Sequence, residues 1–347
     1  MSNQSPQKKK IPYTVSSELN KYLGETGRLQ KIPIQYQDLL RFNNSISLYD
    51  KQGKDTLWLT VSYSQNEMEE LCRELTGIYA TLKTNGDTKV MEHLNVERID
   101  FCTFGNSKPF RIKIVNNYND NYDYYYIKLA DSSRIYGLEW EHILSPNRIN
   151  YFVNDATLIE EHIIGIPGDQ FIKNNFSDLE LNKIRLAKEF VKFNERCFIR
   201  LLGDMRSYNY VIDVTPDFED TQYRIRAIDF DQQSFEGRKS LYIPQFFKEN
   251  LPFVELCMEF LNTNTVKQYQ YEERALIARR IQTSHYRVNQ LLEVMKKDNL
   301  STPEKRNNLK KELSNHYNSP SFENCNNMGE ILEKCLQIIL DNNHSVY

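Results

Sequence analysis

Three oxygen-bearing side chains, set at defined distances, carry the most chemistry in this sequence. Asp204 stands in Leu201-Leu202-Gly203-Asp204-Met205-Arg206 and leads Asn209 by five positions. Asp229 follows between Ile228 and Phe230, with Asp231 two residues later. Transfer of a phosphoryl group to a hydroxyl needs one carboxylate to orient that hydroxyl and take its proton. It also needs hard oxygen ligands that hold Mg²⁺ against nucleotide phosphates. Asp204 suits the first task. Asn209 and Asp229 suit the second, and Asp231 either supports a second metal ion or is solvated.

These residues need elements that bring them together. Between Asp204 and Asp229 the chain has room for two antiparallel strands and a turn, and Asn209–Val214 and Tyr223–Ile228 supply them. Upstream, Val96–Phe104, Phe110–Val115 and Tyr122–Ala130 read as three antiparallel strands. A helix over Ser133–Leu144 comes next, then strands over Ile149–Val153 and Thr157–Ile164. After Gly165 the pattern turns helical: Leu179–Cys197 leads into the Gly-Asp loop, and Pro244–Leu261, Thr265–Leu300, Thr302–Tyr317 and Met328–Asn342 follow. Residues 21–90 carry a pattern of their own. Thr56–Tyr63 is β-branched and aromatic, Ser64 and Glu67 form a capping box, and Met68, Leu71, Cys72, Leu75, Ile78, Tyr79 and Leu82 trace one apolar stripe. That stripe needs a cover, and the short Asp87–Val96 connection lacks the bias of a flexible tether. Docking on the neighbouring sheet or its helix is therefore expected.

The loop G-D-x-x-x-x-N followed by I-D-F resembles the catalytic loop and metal motif of the protein-kinase-like superfamily. Its closest look is to the aminoglycoside-phosphotransferase and choline-kinase branch. The resemblance spans roughly residues 96–262. It implies an α+β, two-lobed protein-kinase-like fold, with an antiparallel-sheet N-lobe (91–165) and a mainly helical C-lobe (166–347). An extra N-terminal α+β module (21–90) would precede it, behind a disordered tail (1–20). It also implies ATP and Mg²⁺ as cofactors, with Asp204 as catalytic base and Asn209, Asp229 and Asp231 at the metal. Lys128 would neutralise the α and β phosphates, held by a glutamate of the following helix. Glu139, which shares a face with Ile135 and Ile143, is favoured for this over Glu141. Gly105 would lie in the phosphate loop. The backbone C=O of Glu161 and N–H of Ile163 would face the adenine edge, with Glu160 at the gatekeeper position.

The chain departs from that pattern in four places. Leu202 stands where the family usually has histidine, and Gly105 is the single glycine of the phosphate loop the resemblance implies, which offers fewer backbone donors to phosphate. The metal motif is D-F-D, and no A-P-E follows it. Ten residues, 232–241, separate Asp231 from Tyr242-Ile243-Pro244. So short a segment points to a small-molecule hydroxyl acceptor rather than a protein. An inactive pseudokinase serving as a nucleotide-binding scaffold is the alternative, and an atypical protein kinase with 21–90 as its docking module is a third. A net charge of -3 gives no electrostatic case for nucleic acid. No apolar run reaches membrane-spanning length. The six scattered cysteines lack any C-x-x-C pair, which suits reduced thiols in a cytoplasmic protein.

Overall fold

The computed structural model describes residues 10–50, 52–84, 92–104, 106–178, 180–217 and 221–344. The chain divides into two compact units, one comprising residues 1–132 and 149–162, the other residues 133–148 and 163–347. In chain order the elements up to the boundary are α1 (Ser17–Glu25), α2 (Tyr36–Leu39), β1 (Asn44–Tyr49), β2 (Asp55–Ser62), α3 (Gln65–Thr84), β3 (Leu94–Cys102), β4 (Phe110–Asn116), β5 (Tyr122–Leu129), α4 (Ser132–Leu144), β6 (Tyr151–Asn154) and β7 (Thr157–Glu161). All except α4 belong to the first unit. Beyond them lie β8 (Ile166–Pro167), α5 (Gly168–Asn175), α6 (Lys183–Ile199), β9 (Tyr210–Pro216), β10 (Thr221–Ala227), α7 (Leu251–Phe260), α8 (Thr263–Thr283), α9 (His285–Met295), α10 (Pro303–Tyr317) and α11 (Met328–His344). The architecture is α+β: an antiparallel-sheet unit and a mainly helical one.

The first unit is a seven-stranded antiparallel sheet in the order β1-β2-β3-β4-β5-β7-β6. Period-two alternation builds its core. In β4, Phe110, Ile112 and Ile114 turn inward, and in β5, Tyr125 and Ile127 do the same. Helix α3 closes that face with Leu75, Ile78 and Leu82, and the Tyr125 hydroxyl donates to the Leu75 carbonyl at 2.8 Å. The stripe read along residues 68–82 is thus covered by the sheet. Residues 21–90 do not form a layer of their own, because β2 pairs with β3 through Trp58–Cys102, Leu59–Phe101 and Thr60–Asp100. Order also begins earlier than a tail over 1–20 implies. Ser16 Oγ caps α1 by accepting from Leu19 N–H at 3.2 Å, and Leu19, Tyr22 and Leu23 are buried. Lys10 pairs with Asp131 at 2.7 Å; residues 1–9 lie outside the described residues.

In the second unit, β8, β9 and β10 form a small antiparallel sheet beside the helices. Two helical spans differ from those read in the sequence. The stretch 265–300 breaks at Ser284 into α8 and α9, at a Thr-Ser-His run of modest helix propensity. The span 244–261 is helical by α geometry only from Leu251, with short 3₁₀ turns before it, since Pro252 sits comfortably only in a first turn.

Candidate active site

Helix α6 delivers the chain to the loop that carries Asp204. Past its end the backbone turns sharply, with Leu201 at φ 56° and Asp204 at φ 58°, both left-handed and both non-glycine. Such conformations persist only where surrounding structure enforces them. Here Leu202 N–H donates to Cys197 O (2.9 Å), Gly203 N–H to Gln232 O (3.3 Å) and Asp204 N–H to Leu241 O (3.1 Å). Leu202, in the place where the resemblance has histidine, is fully buried, so packing supports the loop there.

The Asp204 side chain is held by Arg206, whose Nε donates to Oδ1 at 2.8 Å, and Arg206 in turn reaches Glu249 Oε1 at 2.7 Å. Burial pushes the Asp204 carboxyl above the usual carboxylate range; the Arg206 donor pulls it back, and Glu236 and Glu249 push it up further. A carboxylate raised this way is a better proton acceptor than a solvated aspartate. Asn209 Nδ2 donates to the Asp204 main-chain oxygen at 2.7 Å. That contact spends the nitrogen of the amide and fixes its oxygen as the end able to meet a cation.

The β9–β10 hairpin then returns the chain to the same place. Its register runs from Pro216–Thr221 to Tyr210–Ala227, and Ile228 N–H donates to Asn209 O at 3.0 Å. Asp229 therefore emerges beside Asn209. Its Oδ1 accepts from Asp231 N–H at 3.0 Å and from Arg134 Nη1 at 3.1 Å. The same Nη1 lies 2.9 Å from Asp231 Oδ1, and Nη2 donates to Ile228 O at 3.2 Å. Asp231 is buried rather than solvated.

Arg134 comes from the first turn of α4, where sequence reasoning assigned it nothing. The signal was available: Arg134, Leu138 and Glu141 share one helical face, so two charges sit on an otherwise apolar stripe. Helix α4 is buried almost all round. Gly137 lets it approach the Asp-Phe-Asp segment, since a Cβ there would stand 2.8 Å from Phe230 Cβ.

Lys128 belongs to the first unit, at the end of β5 and on the sheet face opposite α3. A carboxylate on it is Glu160 of β7, at 2.7 Å, with both side chains buried. The register explains the pairing: Lys128 lies opposite Leu158 and Tyr126 opposite Glu160, so lysine and glutamate are diagonal neighbours on one face. Tyr126 adds its ring, 5.2 Å from the ammonium. Glu139 and Glu141, the glutamates that spacing along the sequence set beside Lys128, lie on α4 in the second unit. Each of these has an arginine within the second unit. Glu139 Oε2 accepts from Arg287 Nη2 at 2.6 Å, and Glu141 pairs with Arg200 while also accepting from Asn147 Nδ2 at 3.1 Å.

Glu161 ends β7, and its carboxylate accepts from Asn150 N–H at 2.7 Å. The unit boundary falls between His162 and Ile163, within the segment whose backbone is expected to face the adenine edge. Gly105 lies outside the described residues. The structure thus brings Asp204, Asn209, Asp229 and Asp231 together in the second unit and places Lys128, Glu160 and Glu161 in the first.

Among the described residues no group of three or more His, Cys, Asp and Glu side chains is arranged to hold a metal ion by itself. A Mg²⁺ here would draw on the Asn209 amide oxygen, the Asp229 carboxylate and the ligand's own oxygens, a hard donor set of the kind this ion accepts. No described helix is long and apolar enough to cross a membrane, and the six cysteines are free thiols.

No family model and no curated protein matches this chain. Among solved structures it is similar to the Rio2 kinase of Chaetomium thermophilum, in a complex with ADP/Mg²⁺ and phosphoaspartate. That likeness has 11% identity and a TM-score of 0.36, and it covers 87% of this chain and 86% of the other.

Proposed function

We propose that this protein is an ATP- and Mg²⁺-dependent phosphotransferase of protein-kinase-like design acting on a hydroxyl acceptor. One observation carries the reading: Asn209 is tied on one side to Asp204 by its amide and on the other to Ile228 by its carbonyl. Three residues that the chemistry requires together are thereby joined through a strained loop and a hairpin.

In this reading Asp204 orients the acceptor hydroxyl and takes its proton, and Arg206 keeps the carboxylate in one pose. Asn209 and Asp229 would hold Mg²⁺, which when bound neutralises phosphate charge. Lys128, steadied by Glu160, would be the first unit's cation for phosphate charge. Gly105, Glu161 and Ile163 remain the proposed nucleotide contacts, through backbone groups that tolerate many side chains. A small-molecule acceptor fits the brevity of the segment between Asp231 and Pro244. Residues 232–243 are short and anchored, with Tyr242 OH on Glu236 O at 2.6 Å and Lys239 N–H on Glu312 Oε2 at 2.6 Å.

A second reading is favoured by the ion pairs themselves. Arg134 answers both Asp229 and Asp231, and Lys128 answers Glu160, an arrangement that also suits a scaffold without turnover. Two measurements separate the readings. ATP should raise the melting temperature more with Mg²⁺ than with EDTA, since a ligand at a hundredfold excess over its Kd stabilises the fold by about 2.7 kcal/mol. ADP release that depends on an added metabolite mixture then marks an enzyme. Absence of any shift at millimolar Mg·ATP rejects both the phosphotransferase and the nucleotide-binding scaffold.

A further inference from the structure

Resting on the phosphotransferase reading, we infer that Arg134 is a positioning residue for Asp229, and that Asp231 is the anchor of Arg134 rather than a cation ligand. Exposure separates the two aspartates. The Asp229 side chain is 36% accessible and that of Asp231 is 8%. Only the former presents appreciable surface to an arriving ligand.

The hydrogen bonds assign the rest. A single nitrogen, Arg134 Nη1, bridges Oδ1 of Asp229 (3.1 Å) and Oδ1 of Asp231 (2.9 Å). The Asp231 N–H adds a second donor to the same Asp229 oxygen at 3.0 Å, closing a turn across Phe230. Nη2 on Ile228 O fixes the guanidinium plane. The Asp229 carboxylate is therefore oriented through one oxygen by two donors that both depend on the Asp231 position. Two carboxylates two residues apart would otherwise repel; the guanidinium offsets one charge and sets their geometry. A lysine could supply the charge but not a planar contact to three acceptors. Gly137 makes the arrangement possible, because a side chain there would push α4 off Phe230.

The test uses the full-length chain, with Mn²⁺ and ADP as probe and free Mn²⁺ read by electron paramagnetic resonance. Arg134→Met and Asp231→Asn should each weaken Mn²⁺ retention about tenfold or more, as loss of an outer partner of a metal ligand does. Arg134→Lys should recover part of the loss. Because both substitutions break one link, the double variant R134M/D231N should retain Mn²⁺ as well as the weaker single does. Asp229→Asn should abolish retention. The double variant removes one charge of each sign and so is the safer fold if a single variant fails. On its own, its retention at reduced affinity supports the assignment, and loss as complete as that of Asp229→Asn overturns it. Losses that multiply in the double variant would make Asp231 an independent ligand and overturn it as well. Tighter Mn²⁺ binding by Arg134→Met would make the arginine a competitor of the metal, again against the proposal. If the wild-type chain retains no Mn²⁺ with ADP, the phosphotransferase reading falls and takes this inference with it; the other outcomes against it leave that reading standing.

Discussion

Replacing Glu141 by leucine should cost the second unit more than almost any other single change to a charged residue. The Glu141 and Arg200 side chains are 2% and 3% accessible, so each is the other's charge compensation in a nearly dry site. Removing one partner of such a pair typically costs about 3–5 kcal/mol, because the remaining charge is stranded. Three local facts place this site in that range. Arg200 Nε is buried without a hydrogen-bond partner, burial already pulls the guanidinium down to about 9 despite Glu273, and Asn147 Nδ2 would lose its acceptor. At roughly 2–4 °C per kcal/mol for units of this size, the melting temperature should fall by roughly 6–20 °C. Urea titration followed by far-ultraviolet circular dichroism measures the loss, the second unit being mainly helical. The double variant E141L/R200M removes both charges and should recover at least about 2 kcal/mol of it. A cost under about 1 kcal/mol for E141L, or a double variant less stable than E141L, would refute the mutual charge compensation of Glu141 and Arg200. Any stabilisation by Mg·ATP should survive in the double variant, because the pair serves the fold and not the ligand.

Two further outcomes concern the site and a third the core of the first unit. Asp204→Asn should remove turnover by at least about 10²-fold while leaving Mg·ATP stabilisation nearly intact, checked by ADP release and thermal shift on the same preparation. Its fold should tolerate the change, since a carboxyl raised by burial ionises at the expense of stability as pH rises through its folded value, and the amide does not ionise. Because a base must be deprotonated, the acid limb of kcat/KM should lie above that of an ordinary aspartate; Arg206→Ala removes a donor that lowers the Asp204 value, so the limb should move to still higher pH, and a limb that moves down or stays would reject the pairing as the control. Asp100→Ala should destabilise the first unit by about 3 kcal/mol or more in urea, because this fully buried carboxylate accepts from Arg98 at 2.8 Å and from Arg111 at 2.8 Å and leaves two arginines unanswered.

Much of this was legible in the sequence because local pattern reports local geometry. The alternation Phe110-Arg111-Ile112-Lys113-Ile114 fixes which face of β4 is inward, and the stripe from Met68 to Leu82 marks α3 as a helix in need of cover. The spacing of Asp204, Asn209 and Asp229 anticipates a loop and a hairpin that return to one place, and the hydrogen bond from Ile228 N–H to Asn209 O is where they do so. The partners of buried charges were not legible. Lys128 finds Glu160 across β5 and β7 through register, a diagonal that no spacing along the chain reveals. Glu139 finds Arg287 148 positions away, and Arg134 finds Asp229 95 positions away. Helical periodicity places a glutamate on a face; it does not say which unit that face will join. Sequence therefore determined the order of elements and the residue types of the candidate site. The fold alone decided which opposite charge each buried ion would meet, because desolvation makes an unpaired charge too costly to leave, and the compensating group can come from any segment that packing brings near.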